Sequence, residues 1–248
     1  MTKRKLTSTI TTLRVNAGAA ARAWLNAFLA ASGDKNRKIL YRTLSIEFFG
    51  NGVQFIGCSG TLLFRTWAPR EPDEDERDRE DWKTPPMPEI EQTPDYGDLS
   101  VVVLDDDKFA LAFMKTLMAA ASSDQAAATM TIGIETIDTF QFALSDDLAE
   151  HVVALQAFGQ QLHCKVLDAP YVNWRGLDLG IARRELVDGM TISPDTFKTI
   201  GQLKGVSAVD LDFKGKTKGI VLHASGLSEV RGLAMPMRRA VEPAKEEP

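Results

Sequence analysis

The residues best suited to binding chemistry stand in the last apolar stretch of the chain, residues 229–239. Its apolar side chains belong to Val230, Leu233, Met235 and Met237. Methionine is flexible and polarizable, and surfaces that accept several partners often use it. Pro236 cannot donate a backbone hydrogen bond, so we expect this tip to lie at a sheet edge or to leave the sheet. The stretch is either a final strand that caps a core or a strand that ends in a binding surface, with the Arg238 cation at its edge.

A second group with possible chemistry is the run of Asp105, Asp106 and Asp107. Three adjacent carboxylates suggest a metal site or a hydrolase, but aspartate is also favoured in the first turn of a helix, where it meets the positive end of the helix dipole. The three histidines are isolated, and no Ser-His-Asp or metal-ligand spacing occurs. We therefore expect no enzyme, no catalytic residue, no cofactor and no metal. A hydrolase that uses the aspartate run is a remote alternative.

Composition and charge restrict the class of protein. A chain of 248 residues with 44% hydrophobic and 25% charged residues is typical of a soluble globular protein. No apolar run approaches the ~18 residues of a membrane span, and Cys58 and Cys164 lack the spacing of a zinc site or a disulfide framework. We expect a cytoplasmic protein. The net charge of −5 excludes a uniformly basic nucleic-acid binder but allows separate basic and acidic faces.

These residues stand in a chain whose hydrophobic periodicity predicts the pattern β-α-β-β-β three times. The first unit has strands 6–16, 40–49, 53–58 and 61–67 and a helix over 17–31 that Asn16 caps. A charged, proline-containing segment follows at 69–98 and reads as a solvated, mobile loop. The pattern predicts an α+β fold with short helices on one side of antiparallel sheets.

The second and third units repeat the pattern with differences. The second has strands 99–104, 129–135, 139–144 and 162–167, and residues 146–159 fit either a helix or a further strand. Its helix has the apolar stripe Phe109, Ala112, Phe113, Leu117 and Ala120. The third unit has strands 190–192, 206–213, 219–224 and 229–237, and its helix over 196–203 begins after Ser193.

Three stretches resemble the DNA sliding clamps, above all the bacterial DNA polymerase III β subunit. Residues 233–238 read Leu-Ala-Met-Pro-Met-Arg, and a nearly identical run stands near the C-terminus in that family. Residues 57–63 resemble its Ala-Thr-Asp-Gly-His-Arg-Leu, with Gly60 and Leu63 in common but Thr61 and Leu62 in place of His-Arg. Residues 171–177 resemble its Phe-Pro-Asp-Tyr-Arg-Arg-Val, with Gly176 in place of an arginine.

The resemblance implies a ring with helices around a central hole, sheets outside, and a pocket for client peptides with leucine and aromatic anchors. The residues implied for the pocket are Gly60, Leu63, Trp174, Arg175, Leu177, Leu233, Met235, Pro236, Met237 and Arg238. An apolar, deformable pocket suits such peptides, and Arg175 and Arg238 would orient them. Leu63 and Leu177 are equally compatible with plain core packing.

The resemblance also implies partners and a division into domains. Expected partners are duplex DNA without sequence preference, a DNA polymerase, a clamp loader and further copies of the chain, with no membrane. The expected domains are 6–178, a half-domain or second domain at 188–240, and a tail at 241–248. Clamps contain twelve such units, so three units per chain imply four copies, whereas a degenerate fourth unit within 146–187 implies three. A short, divergent clamp suggests a phage or mobile-element origin.

Cations on or near the predicted helices are the candidates for contact with DNA phosphates, which would be weak and salt-sensitive. They are Arg22, Lys35, Arg37, Lys38, Lys108, Lys115, Lys198 and Lys204. The leading hypothesis is a ring that encircles DNA and tethers a polymerase. The alternative is a clamp-like adaptor or decoy that binds clients without encircling DNA.

Overall fold

The computed structural model describes residues 12–31, 41–79, 81–90, 92, 101–103, 108–121, 129–136, 148–167, 171–177, 192–213 and 219–236. The helices in these ranges are α1 (Ala17–Ala30), α2 (Glu74–Arg77), α3 (Lys108–Ala121) and α4 (Pro194–Ile200). The strands are β1 (Thr12–Asn16), β2 (Leu44–Phe49), β3 (Gly52–Cys58), β4 (Leu62–Pro69), β5 (Val101–Val103), β6 (Thr129–Thr136), β7 (Leu148–Ala157), β8 (Gln160–Leu167), β9 (Val206–Phe213), β10 (Ile220–Gly226) and β11 (Val230–Ala234).

The strands form one sheet in the order β1-β6-β7-β8-β5-β2-β3-β4-β11-β10-β9, and all the strand pairs are antiparallel. The first strand of each of the first two units pairs with the second strand of the other, since β1 pairs with β6 and β5 pairs with β2. The two units therefore share one hydrophobic core, in which α1 and α3 lie against each other. The predicted α+β class and the antiparallel repeats are confirmed.

Helix α1 is buried along its length because its sequence is rich in alanine and carries a single charge, Arg22. Its first turn is capped as predicted, since the Asn16 side-chain oxygen accepts a hydrogen bond from the Ala19 backbone N–H at 3.0 Å. Small side chains allow a helix to approach a sheet and a second helix closely. The helix consequently has no residue in the exposed class.

Helix α3 corrects the predicted apolar stripe. Phe109 is 78% exposed and Ala112 is also exposed, whereas Ala110, Met114 and Leu117 are buried. The buried positions follow the spacing i, i+4, i+7, which places them on one face of the helix. Leu117 is buried and Phe113 packs against the core as predicted, so the prediction is wrong at Phe109 and Ala112. Alanine and phenylalanine occur on both faces, and periodicity alone did not distinguish them.

The ambiguous segment 146–159 contains a strand, because β7 pairs with both β6 and β8. The turn from β7 to β8 has φ of 52° at Phe158 and 72° at Gly159, as a two-residue hairpin of type I′ requires. Strands β7 and β8 therefore complete the second unit. The predicted strand 139–144 lies outside the described residues.

The third unit joins the first by the antiparallel pairing of β11 with β4. Its helix region is tied to α1 by Asn26, whose side chain accepts from the Lys204 N–H at 2.7 Å and donates to the Lys204 carbonyl at 3.0 Å. Ile192 lies outside the strands, and the rest of the predicted strand 190–192 lies outside the described residues.

The charged segment 69–98 differs in part from the predicted solvated loop. Its charges are mostly exposed where the structure describes them, but Met87 and Pro88 are buried. The Trp67 indole N–H donates to the Pro85 carbonyl at 2.9 Å, and Met87 packs with Phe49 and Trp67. Apolar residues among prolines and charges thus anchor part of the segment on the sheet.

Candidate functional site

The three stretches that resemble sliding clamps converge where β4 pairs with β11. Leu63 and Leu233 are register partners in this pair, and the 3₁₀ turn Trp174–Gly176 packs beside them. The buried members of the cluster are Ile56, Cys58, Leu63, Tyr171, Trp174, Val221 and Leu233. Leu177 and Tyr41 are partly buried against it. The structure thus brings Leu63, Trp174, Leu177 and Leu233 into one apolar cluster.

The surface of this cluster carries an exposed methionine. Met235 is 42% exposed, and its backbone N–H donates to the Thr61 carbonyl at 2.8 Å, which holds the end of β11 against the turn before β4. The Tyr41 ring lies beside Gly60, where a Cβ would be 3.6 Å from the tyrosine Cζ. Pro236 follows at intermediate exposure. Met237 and Arg238 lie outside the described residues.

Arg175 is held by an ion pair that the sequence did not indicate. Its two terminal nitrogens donate to the two carboxylate oxygens of Glu47, both at 2.8 Å. The Trp174 indole N–H donates to the same carboxylate at 3.1 Å. Glu47 is 1% exposed, so this bidentate pair neutralises a buried charge. The Arg175 side chain stays 31% exposed, although its Nε is buried.

The carboxylate of Glu47 is the centre of a larger buried network. Gln54 donates to Glu47 at 2.8 Å and accepts from Arg65 at 2.7 Å. Arg65 also donates to the Pro88 carbonyl at 3.0 Å. The guanidinium carbons of Arg65 and Arg175 lie 4.6 and 4.3 Å from the centroid of the Trp174 ring, within cation–π distance. The network fixes the 3₁₀ turn to the sheet.

Sequence reasoning missed Glu47, Gln54 and Arg65, although a weak signal existed. All three are charged or amide residues within apolar strands, and polar groups buried in strands need partners. Alternation in β2 places Leu44, Ile46 and Phe48 on the face of the main core and Glu47 on the other face, but it does not show that this other face is buried as well. Burial lowers the pKa of Arg65 to about 10, with a further contribution from the neighbouring Arg231 cation. Arg65 is therefore still charged at neutral pH.

Burial keeps two further groups in the cluster, a hydroxyl and a thiol, in their uncharged form. The Tyr171 hydroxyl donates towards the Thr43 and Ile56 carbonyls, at 3.2 and 3.4 Å, and burial raises its pKa. Burial also raises the pKa of the Cys58 thiol. Both groups are neutral at physiological pH, so the apolar side of the cluster carries no charge of its own from them.

The cations expected to contact DNA differ in their exposure to solvent. Lys115 on α3, Lys198 on α4 and Lys204 after it are exposed. Arg22 is partly buried, and burial lowers its pKa; a Cβ at Gly205 would lie 2.8 Å from its Cδ. The side chain of Lys108 is not described, and Lys35, Arg37 and Lys38 lie outside the described residues.

Among the described residues, no group of three or more His, Cys, Asp or Glu side chains could hold a metal ion. The run Asp105 to Asp107 lies outside those residues. No helix in the described part of the chain has the length and apolarity needed to cross a membrane.

The similarity of this chain to known proteins is one of structure. No protein-family model matches the chain, and no curated protein matches its sequence. The solved DNA polymerase sliding clamp of Pseudomonas aeruginosa superposes with a TM-score of 0.58 at 11% identity, covering 94% of this chain and 68% of that one. The DNA polymerase III β subunit of Thermotoga maritima gives 0.57 at 12% identity, covering 97% and 69%. The Caulobacter crescentus polymerase III β gives 0.52 at 12%, covering 96% and 69%.

At these identities the likeness is one of fold. It extends over almost the whole of this chain, including all three units, and over about two thirds of the solved clamps. The resemblance found in three short stretches of sequence is thus confirmed by the three-dimensional structure. The chain has the fold of the DNA polymerase III β sliding clamps.

Proposed function

We propose that the chain is a sliding clamp, a ring of several copies that encircles duplex DNA and tethers a DNA polymerase. The observation that carries the proposal is the convergence of residues 57–63, 171–177 and 233–236 on one apolar cluster at the β4–β11 junction. These are the three stretches that resemble the client-binding parts of sliding clamps. Met235, which follows the last of these stretches out of β11, is exposed.

The proposed pocket takes a short client peptide with leucine and aromatic anchors. Leu63, Leu177 and Leu233 supply the apolar floor, and Met235 adapts to the anchor because its side chain is flexible. Arg175 is fixed by Glu47, and its partly exposed side chain orients the peptide at the edge of the pocket in this proposal. Met237 and Arg238 complete the wall in this proposal.

The proposed DNA contact uses lysines rather than base-reading groups. Lys115, Lys198 and Lys204 are exposed on α3, on α4 and directly after α4, respectively. Contacts of this kind bind phosphates without reading sequence and weaken with salt. In this proposal three or four copies complete the ring, and a clamp loader places it on DNA.

A second candidate is a clamp-like adaptor that binds clients without encircling DNA. Helix α1 favours it, because α1 exposes no residue and carries only the partly buried Arg22. A helix of this composition supplies little attraction for phosphates. The two candidates share the client pocket and differ in DNA retention.

The client pocket is tested with Met235→Glu, which places a charge on an exposed side chain and should leave folding intact. Binding of a fluorescent peptide with a leucine and a phenylalanine anchor should weaken at least about 10-fold, as expected when a charge enters an apolar contact. Leu227→Glu is the matched control, since Leu227 is 78% exposed in the β10–β11 turn. Equal peptide binding by both variants and the wild type would argue against this pocket.

DNA retention is tested separately with the double charge reversal Lys198→Glu and Lys204→Glu. A ring should stay on closed circular DNA at low salt and slide off after linearisation, and the reversal should abolish retention. Wild-type protein that binds the peptide but is not retained on circular DNA would favour the adaptor.

A further inference from the structure

Strand β4 presents three side chains on its face away from helix α1, namely Leu63, Arg65 and Trp67. They alternate with residues that face α1, such as Thr66, whose hydroxyl donates to the Ala23 carbonyl at 2.6 Å. Leu63 belongs to the apolar cluster of the proposed client pocket. The row of side chains from Trp67 to Leu63 therefore leads along β4 into that pocket.

Residues 85–90, here called the strap, lie over this row and follow it towards the pocket. The Pro85 carbonyl accepts a hydrogen bond from the Trp67 indole N–H at 2.9 Å. The Pro88 carbonyl accepts from the Arg65 guanidinium at 3.0 Å. The strap thus runs opposite to β4, and its last residues are directed at the pocket.

The last two residues of the strap contact the pocket and its border. The Glu89 carboxylate lies 3.5 Å from a terminal nitrogen of Arg231, in β11. Ile90 packs against the apolar cluster that contains Leu63 and Leu233. An aliphatic side chain on this cluster is what a leucine anchor of a client peptide would supply. The chain itself therefore places a residue of the client type on the proposed pocket.

The two ends of the strap are held with different strength. Met87 and Pro88 are buried, so the first end is fixed to the sheet. The side chain of Glu89 is 74% exposed, and exposed ion pairs stabilise little. Ile90 is only partly buried. The end on the pocket can therefore leave while the other end stays bound.

Closing the strap also has an electrostatic cost at Arg65. This side chain is 0% exposed, and its Nε and Nη1 have no hydrogen-bond partner within the described residues. Burial lowers its pKa to about 10, and Arg231, its register partner in β11, is a second cation beside it. Buried donors without partners are unfavourable, and water reaches them when part of a covering segment leaves. The closed strap is thus opposed by the charge beneath it.

We propose that the strap is an internal ligand of the client pocket and that a client peptide must displace Glu89 and Ile90 in order to bind. This rests on the client pocket of the proposed function and adds its regulation. A pocket that is open in only a fraction of the molecules binds with an apparent affinity reduced by that fraction. The strap therefore sets a threshold that excludes peptides with weak anchors.

The competition is tested with Ile90→Ser, which removes the apolar contact of the strap with the pocket. The variant should bind the fluorescent peptide with a leucine and a phenylalanine anchor at least about threefold more tightly than the wild type. Ile192→Ser is the matched control and should leave the affinity unchanged, since Ile192 is also partly buried but packs against the core of the third unit. Adding Met235→Glu to Ile90→Ser should abolish the gain, which would locate it in the pocket.

Two kinds of failure are told apart by the same titrations. Equal or weaker binding by Ile90→Ser would overturn the proposal and make Ile90 a part of the pocket wall. Absence of binding by the wild type and all the variants would instead refute the client pocket itself, and the strap proposal with it.

The position of the strap is measured separately with a dye on Gln92→Cys, an exposed position shortly after the strap. Cys58 and Cys164 are buried and should not react with the dye. Binding of the unlabelled peptide should lower the anisotropy of the dye, because the end of the strap is released, and should not change it in the Ile90→Ser background. An anisotropy that saturating peptide leaves unchanged in the presence of Ile90 would overturn the proposal.

Discussion

The first two units and the third unit use one pattern of elements but reach different degrees of burial. Units one and two exchange strands and enclose α1 and α3 in a common core. One side of the third unit's core packs against residues of α1 and β4. On its other side, α4 and β9 contain no buried residue. The same local sequence pattern thus forms a complete domain only when a second unit supplies the missing strand and helix.

The largest expected effect lies in the first unit, at the buried carboxylate of Glu47. Glu47→Ala should lower the free energy of unfolding by about 3–5 kcal/mol, because it leaves Arg175 and the Trp174 N–H without their partner. The exposed Asp210 in β9 is the counterpart, and Asp210→Ala should change stability by less than about 0.5 kcal/mol. Urea denaturation measures both. Similar values for the two variants would contradict the contrast between the units.

The same substitution in the two cores gives the next contrast. Leu117 is 1% exposed in the shared core, and Leu117→Ala should cost about 2–5 kcal/mol. Leu203 is only partly buried in the third unit, and Leu203→Ala should cost about 1 kcal/mol at low protein concentration. Urea denaturation measures both costs, and equal costs at Leu117 and Leu203 would contradict the difference in burial.

Helix caps give a smaller contrast. Asn16→Ala removes the cap of the buried helix α1 and should cost about 1 kcal/mol. The Ser193 hydroxyl accepts from the Asp195 N–H at 3.3 Å at the start of α4, and Ser193→Ala should cost about 0.5 kcal/mol because α4 buries no residue. Thermal unfolding monitored by circular dichroism ranks the two. A larger cost at Ser193 would show that α4 is more deeply packed than the contrast requires.

The smallest effect is expected at the link between the two ends of the first unit. The Glu71 N–H donates to the Arg14 carbonyl at 2.9 Å, and Arg70 forms a bidentate ion pair with Glu76. The hydrogen bonds from Arg70 lower the pKa of Glu76 from 4.5 to about 2. This pair therefore contributes stability above pH 4.5 that is lost as the pH falls towards 2.

Glu76→Gln tests the ion pair between Arg70 and Glu76 through the pH dependence of stability. The wild type should lose slightly more stability than the variant between pH 5 and pH 3, since only the wild type must protonate this carboxylate on unfolding. Urea midpoints at the two pH values give the difference. Parallel pH profiles for the two proteins would mean that solvent screens the ion pair completely.

The sequence was informative where local chemistry sets the structure. The Asn16 cap, the β-α-β-β-β pattern of the first two units and the strands β4 and β11 beside the pocket follow from capping, alternation and turn residues, and the structure confirms them. In the third unit it confirms the helix and the three strands that follow it. The three pocket stretches could also be recognised, because each keeps a short run of residue types that resembles the clamp family. The predicted apolar stripe of α3 was wrong at Phe109 and Ala112, which are exposed although they are as apolar as the residues that are buried.

The polar network could not be predicted in the same way. Glu47, Gln54 and Arg65 lie on strands that are buried on both faces, whereas a polar residue in an alternating strand is ordinarily expected to face solvent. Alternation therefore does not indicate that Glu47 meets Trp174 and Arg175. Those two residues lie more than a hundred positions along the chain from Glu47. Such a pairing depends on the order of strands in the sheet, and the order depends on which units exchange strands.

The sequence by itself determined the class of fold, the three repeats and the types of residue that line the candidate pocket, because helix caps, periodicity and turns act over a few residues. Only the tertiary structure decided that β11 pairs with β4, that Arg175 is held by Glu47, and that β9 ends the sheet. These features arise from long-range pairing of strands and from the burial of charges. Their free energies depend on the whole assembled core, which no local stretch of sequence contains.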